Sequence, residues 1–294
     1  MPGPDPQRAL AGATRRKALS VARDFLRANG IEHADEDARA LTFAAGAFDR
    51  LALLREPGVA LTTTQIETLS TFLARRAAHE PASRIVGRRP FWTLDLSVRP
   101  DVLDPRADSE AMIRLARRLS DAQGRAPARI LDLGAGSGAL ICALLAEFSD
   151  AFGVAVDLSA AACAASRENI RRCGFEDRGA VVRSDWSGAV GGLFDLVVSN
   201  PPYIPTAEIE QLDLEVRAHD PHLSLDGGLD GLDAYRSLLR LAPDLLAPGA
   251  LLIFEHGLGQ ADSIRALAVA SGFEEAGAER DLGGRDRAIA LRIA

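Results

Sequence analysis

The sequence predicts an α/β fold: a doubly wound, mostly parallel seven-stranded sheet preceded by a small N-terminal helical bundle and a linking β-hairpin. Three observations carry this reading. Apolar residues recur with helical spacing over the first ~80 positions, but from Ala128 short apolar runs alternate with longer amphipathic stretches, the order of a parallel sheet covered by helices on both faces. The run 129–133 then enters Gly134-Ala135-Gly136-Ser137-Gly138 and an apolar helix, a strand–glycine–helix junction. Finally, the β-branched run 193–199 is stopped abruptly by Asn200-Pro201-Pro202-Tyr203.

Taken in order, Ala18, Val21, Ala22, Phe25 and Leu26 define a first helix that Gly30 terminates. A second begins after Ala34, where Asp35, Glu36 and Asp37 suit a helix N-terminus, and carries Leu41, Ala45 and Phe48. One of Thr62 to Thr64 caps a third, with Ile66, Leu69, Phe72 and Leu73 on one face. Glu80-Pro81 ends the bundle, and 84–87 with 91–98 read as the two strands of the hairpin. A helix from about Ser109 to Asp121 follows. Strands are expected at 129–133, 152–157, 180–183, 193–199, 249–255, 273–279 and 287–292, with helices at 138–148, 159–172, 231–246 and 260–271. The domain reading is a helical domain at 1–82, a linker hairpin at 83–104 and a sheet domain at 105–294.

The 294 residues, 47% hydrophobic and 26% charged, match a soluble globular protein with a full core. No apolar run approaches the ~20 residues of a membrane span. Met1-Pro-Gly-Pro-Asp5 lacks the basic-then-apolar order of a signal peptide. Cys142, Cys163 and Cys173 have no metal-ligand spacing and fall on expected helices, which suits small thiols in a reducing cytosol. Net charge is −7 but uneven: residues 1–88 hold 13 Arg/Lys against 10 Asp/Glu, and the remainder 21 against 31. An acidic body of this kind is a poor attractor of nucleic acid.

The glycines permit a tight turn and let a ligand lie against bare backbone. Their spacing, D-x-G-x-G-x-G from Asp132, puts Ala139 and Ile141 where a dinucleotide fingerprint needs glycine, and no Gly-Lys-Ser/Thr follows to make a phosphate loop. The pattern resembles the nucleoside-binding loop of S-adenosylmethionine-dependent methyltransferases. Asp157, 21 residues beyond Gly136 at the end of the next strand, is placed to accept both ribose hydroxyls or, alternatively, to cap the following helix, for which Ser159 also offers itself. Ser184-Asp185-Trp186 ends the third strand where an adenine ring would lie, with Trp186 either covering that ring or belonging to the core.

At Asn200-Pro201-Pro202-Tyr203 the prolines fix φ and leave their carbonyls free to accept hydrogen bonds, flanked by an amide and an aromatic face. Such a site can grip a planar amide-like nitrogen by accepting its hydrogens and stacking on its plane. A lone Asn-Pro after a strand marks an ordinary turn; all four residues, downstream of the glycine loop, mark a site.

The remaining motifs are Glu80-Pro81, Gly87, Phe91-Trp92, His219-Asp220-Pro221, Asp226-Gly227-Gly228-Leu229-Asp230-Gly231-Leu232, Tyr235-Arg236 and Asp281-Leu282-Gly283-Gly284-Arg285-Asp286-Arg287. With the loop and the strand end, they resemble the release-factor glutamine N5-methyltransferases, the HemK family, over nearly the whole chain. Where that family usually carries Ile-Pro-Arg-Pro-Glu-Thr-Glu, this chain has Asp104-Pro105-Arg106-Ala107-Asp108-Ser109-Glu110; Pro90 replaces an acid, and Glu255-His256-Gly257 a Glu-Ile-Gly. The resemblance implies a Rossmann-like methyltransferase domain and a cytoplasmic enzyme of translation termination. Its reaction would be transfer of the methyl of S-adenosylmethionine to the glutamine of a Gly-Gly-Gln loop in peptide chain release factors, with no metal and no membrane or nucleic-acid partner.

By the same resemblance, Asp132, Gly134, Ala135, Gly136, Ser137, Gly138, Asp157, Asp185, Trp186 and Asn200 would bind the cofactor. Asn200, Pro201, Pro202 and Tyr203 would be catalytic and hold the substrate, Phe91 with Trp92 would wall the glutamine pocket or, alternatively, serve as domain-packing aromatics, and the helical domain would recognise the substrate. The Asn200 side-chain oxygen and the Pro201 carbonyl would accept the two amide hydrogens. Competing expectations are a glutamine methyltransferase acting on a ribosomal protein, left open by the 104–110 segment, a DNA adenine or cytosine amino-methyltransferase, disfavoured by the acidic body, and a non-catalytic nucleoside-binding protein.

Overall fold

The computed structural model describes residues 6–294 in two compact units divided between Gly87 and Arg88. Met1–Asp5, read above for a signal peptide, lie outside the described residues. The first unit is helical: α1 (Pro6–Leu10), α2 (Arg15–Ala28), α3 (Ala34–Gly46), α4 (Arg50–Arg55), α5 (Thr63–Ala77) and α6 (Ala82–Val86). Thr14 caps α2, and Thr62 caps α5 in a reciprocal box with Gln65 that satisfies two otherwise orphaned backbone donors. Ala18, Ala22 and Leu26 of α2 meet Ala38 and Leu41 of α3 and Leu69 and Leu73 of α5 in one core. Buried Arg76 pairs with Asp37 at 2.6 Å within it.

Residues 84–87 are not a strand. Pro81 precedes one helical turn, Ile85 drops into the bundle core, and Gly87 at φ +75 closes the turn in the left-handed region. The Arg-Ile-Val run is too short for its period to decide between helix and strand; burial of Ile85 decides it. The hairpin begins one residue later, with β1 (Arg88–Phe91) pairing antiparallel to β2 (Leu94–Ser97), and lies in the second unit.

That unit continues with α7 (Glu110–Gln123), β3 (Arg129–Leu133), α8 (Ala139–Glu147), β4 (Phe152–Asp157), α9 (Ala160–Arg172), β5 (Gly179–Arg183) and β6 (Phe194–Ser199). A short α10 (Leu214–His219) leads to α11 (Asp233–Leu241), β7 (Leu246–Glu255), α12 (Ala261–Ala270), β8 (Phe273–Arg280) and β9 (Asp286–Ile293). The seven-stranded sheet has the order β5-β4-β3-β6-β7-β9-β8, parallel as far as β7 and antiparallel where β9 enters between β7 and β8. Alternate residues feed two cores. Ile130, Leu196, Val198 and Ile253 face α7, α8 and the hairpin, while Leu131, Val197, Leu252 and Phe254 face α11 and α12. Burial on both faces is why these strands read as continuous apolar runs rather than alternating ones. Among the described residues, no helix is long and apolar enough to cross a membrane.

The chain winds from β3 out through β4 and β5, then returns to place β6 on the other flank of β3. Asp132 pairs with Val198, so the two strands end side by side, and the Ser199 hydroxyl donates to the Leu133 carbonyl at 2.6 Å. A reversal of strand order opens a crevice beyond the carboxyl ends of the strands. The glycine loop leaves one strand at that point, and Asn200-Pro201-Pro202-Tyr203 leaves the other.

Candidate active site

The glycine loop is held by its own backbone. Gly134 and Ala135 N–H both donate to the Val156 carbonyl at 2.9 Å, and Gly136 N–H donates to Asp157 Oδ2 at 2.9 Å. From behind, Ser166 donates to the Gly136 carbonyl at 3.0 Å and Asn169 to the Ser137 carbonyl at 2.9 Å. Gly138, at φ +75, packs so close to α9 that a Cβ would meet Ser166 Cα at 3.0 Å; a larger residue would lift the loop. Asp132 is wholly buried beneath, accepting from Ile141 N–H at 3.2 Å through Oδ2 while Oδ1 has no protein partner. Burial pushes its carboxyl up to about 7, against the pull of the Ile141 N–H.

Above the loop lies a cavity of about 280 Å³ lined by Gly134, Gly136, Asp157, Asp185, Trp186 and Asn200, among others, with Pro202 at its edge. The Asp157 carboxylate faces it, steadied by the N–H groups of Gly136 and of Ser159 (2.8 Å), while Ser159 caps α9. Trp186 is half-buried and held at φ +46, with its ring over the bare Gly134 backbone. A walled slot, a carboxylate at the second strand end and a side-chain-free floor fit the nucleoside part of S-adenosylmethionine. Asp132, Ala135, Ser137 and Gly138 shape the loop without lining the slot.

A second cavity of about 350 Å³ adjoins it, lined by Arg89, Arg106, Asp108, Asn200, Tyr203 and Glu255, among others. Asn200 lines both cavities, which also share Leu103 and Ser224. Pro201 is buried and lines neither, and Pro202 borders the first cavity rather than the second. Tyr203, its hydroxyl pushed up to about 12 mainly by burial, is neutral at any physiological pH. The chain beyond it forms a closed loop: Ile204 N–H donates to Leu225 O (3.0 Å) and Gly227 N–H returns to Ile204 O (2.8 Å). A Cβ on Gly227 would meet the Tyr203 Cα at 2.8 Å, and one on Gly231 would strike the Tyr203 carbonyl. Gln260 Nε2 donates to that carbonyl at 2.8 Å while its Oε1 accepts from Gly257 N–H at 2.9 Å. Gly227 and Gly231 are therefore spacers against the strand-end backbone.

Behind Asn200 stands a polar set that the sequence reading did not assign to the site. Asn200 Nδ2 lies 3.3 Å from Ser109 Oγ, and the Ser109 hydroxyl donates to Glu255 Oε2. Glu255 is only 2% exposed, and burial pushes its carboxyl up to about 7, opposed by the Ser109 hydrogen bond and by Arg287. Both residues lie in segments noted only as departures from a family pattern. An acid ending a strand is a readable signal, but that β7 lies beside β6 is not. Phe91, by contrast, is 2% exposed in the core under β1 and lines neither cavity. Trp92 beside it is tied to α7 and α8, with N–H to Glu110 (3.0 Å) and Nε1–H to Glu147 (2.7 Å). These aromatics are packing residues of the second unit.

Comparison with known proteins agrees with this geometry. Residues 17–87 match the family model described as PrmC N-terminal domain, and residues 110–218 that described as Methyltransferase small domain. The catalytic domain of hMettl16, solved in complex with MAT2A 3'UTR hairpin 6, superposes with a TM-score of 0.54 over 76% of this chain and 82% of that one, at 14% identity, a likeness of fold alone. The release factor glutamine methyltransferase of Caulobacter vibrioides is 40% identical over 93% of this chain and 94% of its own. That of Bradyrhizobium diazoefficiens is 44% identical over 91% of each. Identity at that level across both units, together with the crevice they predict, means that the chain belongs to the release factor glutamine methyltransferase family.

Proposed function

We propose that this protein transfers a methyl group to the side-chain amide nitrogen of the glutamine in the Gly-Gly-Gln loop of peptide chain release factors. The observation that carries the proposal is that Asn200 lines both cavities, the nucleoside slot and the neighbouring polar one. S-adenosylmethionine is the methyl donor and, when bound, supplies an electrophilic sulfonium methyl. The chain's own task is to make an amide nitrogen attack, although its lone pair is delocalised into the carbonyl.

Asn200 Oδ1 accepts an amide hydrogen, which turns the nitrogen toward the slot and raises its electron density as positive charge develops. Tyr203 packs against the amide plane, and Pro202 borders the cofactor slot. Asn200 has no basic group that titrates near neutrality, so it acts as a positioner and acceptor. Asp157 holds the ribose hydroxyls, and Asp185 and Trp186 border the adenine. Holding nucleophile and methyl in line is worth several of the ~7–11 kcal/mol available from orientation. The helical unit reads the release factor; nucleic acid is not the proposed substrate, given 21 Arg/Lys against 31 Asp/Glu after residue 88.

The test is transfer of labelled methyl to purified release factor, with the loop glutamine intact and replaced. Label on the intact protein alone is the expected result. Equal labelling of both, or labelling of a ribosomal protein or DNA instead, would overturn the assignment.

A further inference from the structure

The carboxamide of Asn200 can be seated in two ways. Half a turn about its last torsion exchanges oxygen for NH₂ with almost no change in shape. Only one seating presents an acceptor to a substrate N–H; the other presents a donor and repels it.

The group behind Asn200 distinguishes the two. A serine hydroxyl has one hydrogen, and Ser109 directs it at the Glu255 carboxylate. The Ser109 oxygen then faces Asn200 with lone pairs only, so NH₂ is the end it can accept, at 3.3 Å. We propose that Ser109 and Glu255 are positioning residues, and that they hold the Asn200 carboxamide with its oxygen turned toward the substrate amide. This rests on the amide-methylation reading given above and adds to it the device that orients the acceptor.

The device depends on the charge of Glu255. A protonated Glu255 donates to Ser109 Oγ, which releases the serine hydrogen to point at Asn200; the reversed seating, with Oδ1 toward Ser109, is then equally satisfied. The other groups facing this carboxyl are Asp108, ahead of α7, Arg287 of β9, Tyr203 after β6 and Tyr235 of α11. Arg287 is shared between Asp108 (3.1 Å) and Asp281 (3.5 Å). Burial raises both tyrosines, so they stay neutral where Glu255 titrates. Loss of the Glu255 proton as pH rises through about 7 therefore sets the productive seating.

The experiment compares the full chain with its Ser109→Ala, Ser109→Thr and Glu255→Gln variants. Turnover is measured on whole release factor and cofactor affinity by calorimetry. Ser109→Ala and Glu255→Gln are expected to lower kcat about 10- to 100-fold while retaining cofactor affinity, which also reports on folding, and Ser109→Thr to restore it. In the parent, kcat should rise from pH 6 to 8; in Glu255→Gln this rise should vanish.

A second readout needs no substrate. The ¹⁵N–¹H side-chain amide signal of Asn200, assigned by its loss in Asn200→Ala, should shift with pH around 7 in the parent and not in Glu255→Gln. Unchanged kcat in Ser109→Ala, or an Asn200 signal indifferent to pH, would overturn the proposal. A parent that fails to label release factor would instead sink the substrate reading, with the amide signal still deciding the orientation.

Discussion

Asn200 makes two demands that a single side chain rarely meets, since it touches the donor slot on one side and the polar cavity on the other. Replacing it with alanine should cut kcat about 10²–10³-fold, the scale of losing one preorganised transition-state contact, while calorimetry still detects cofactor. Asp157→Ala should act the other way, weakening cofactor about 10- to 100-fold through lost charge-assisted hydrogen bonds; unchanged affinity would mean the ribose lies elsewhere. Asp132 provides a test against pH. Its folded-state value, about 7, lies above the unfolded carboxyl range, so its contribution to stability is fully present below pH ~4 and is lost as pH rises toward 7. Asp132→Asn should thus gain in melting temperature over the parent between pH 5 and 8, a difference that largely cancels background titration such as that of buried His256.

Among elements, the loop closed between Ile204 and Gly227 explains the glycines better than conformational freedom alone does. Gly231 sits at φ +75 and has no room for a Cβ against the Tyr203 carbonyl. Gly231→Ala should cost about 1–3 kcal/mol in urea unfolding and lower turnover with it, because the tyrosine backbone must shift. Gly249, equally left-handed but with nothing within 4 Å of a built Cβ, is the control: its alanine variant should lose stability without the same loss of turnover. The element that departs from expectation, α6, does so for a packing reason. Its single turn is bounded by Pro81 and Gly87, and it seats Ile85 in the bundle core.

For the whole molecule, two units with separate cores divide between Gly87 and Arg88. The glycine loop, both cavities and the Ser109–Glu255 pair all belong to the second. Removal of residues 1–87 should therefore spare cofactor affinity and depress transfer to whole release factor much more strongly. Equal loss of both would make the helical unit structural only.

Local order was legible throughout the sheet domain. β3 and β4 occupy the expected residues, and the other strands differ by a few residues at their ends, because each apolar run is bounded by glycine, proline or a capping residue. The glycine loop and Asp157, Trp186, Asn200 and Tyr203 could likewise be singled out as candidates, and they line the cavities, since each belongs to a local arrangement of residue types; Pro201 lines neither. Phe91 stayed open between pocket wall and packing residue in the sequence because an aromatic beside a turn reads the same whether it faces a ligand or a core; the structure puts it in the core. Ser109 and Glu255 were out of reach for a different reason: they are 146 residues apart and meet because the start of α7 packs against β7, whose pairing with β6 brings Glu255 beside Asn200. By itself, then, the sequence determined the strands, the helices and the chemical character of the site's two loops. Tertiary structure alone decided which polar groups stand behind Asn200 and which way its amide is turned, because those contacts depend on strand order, and strand order leaves no periodicity in the chain.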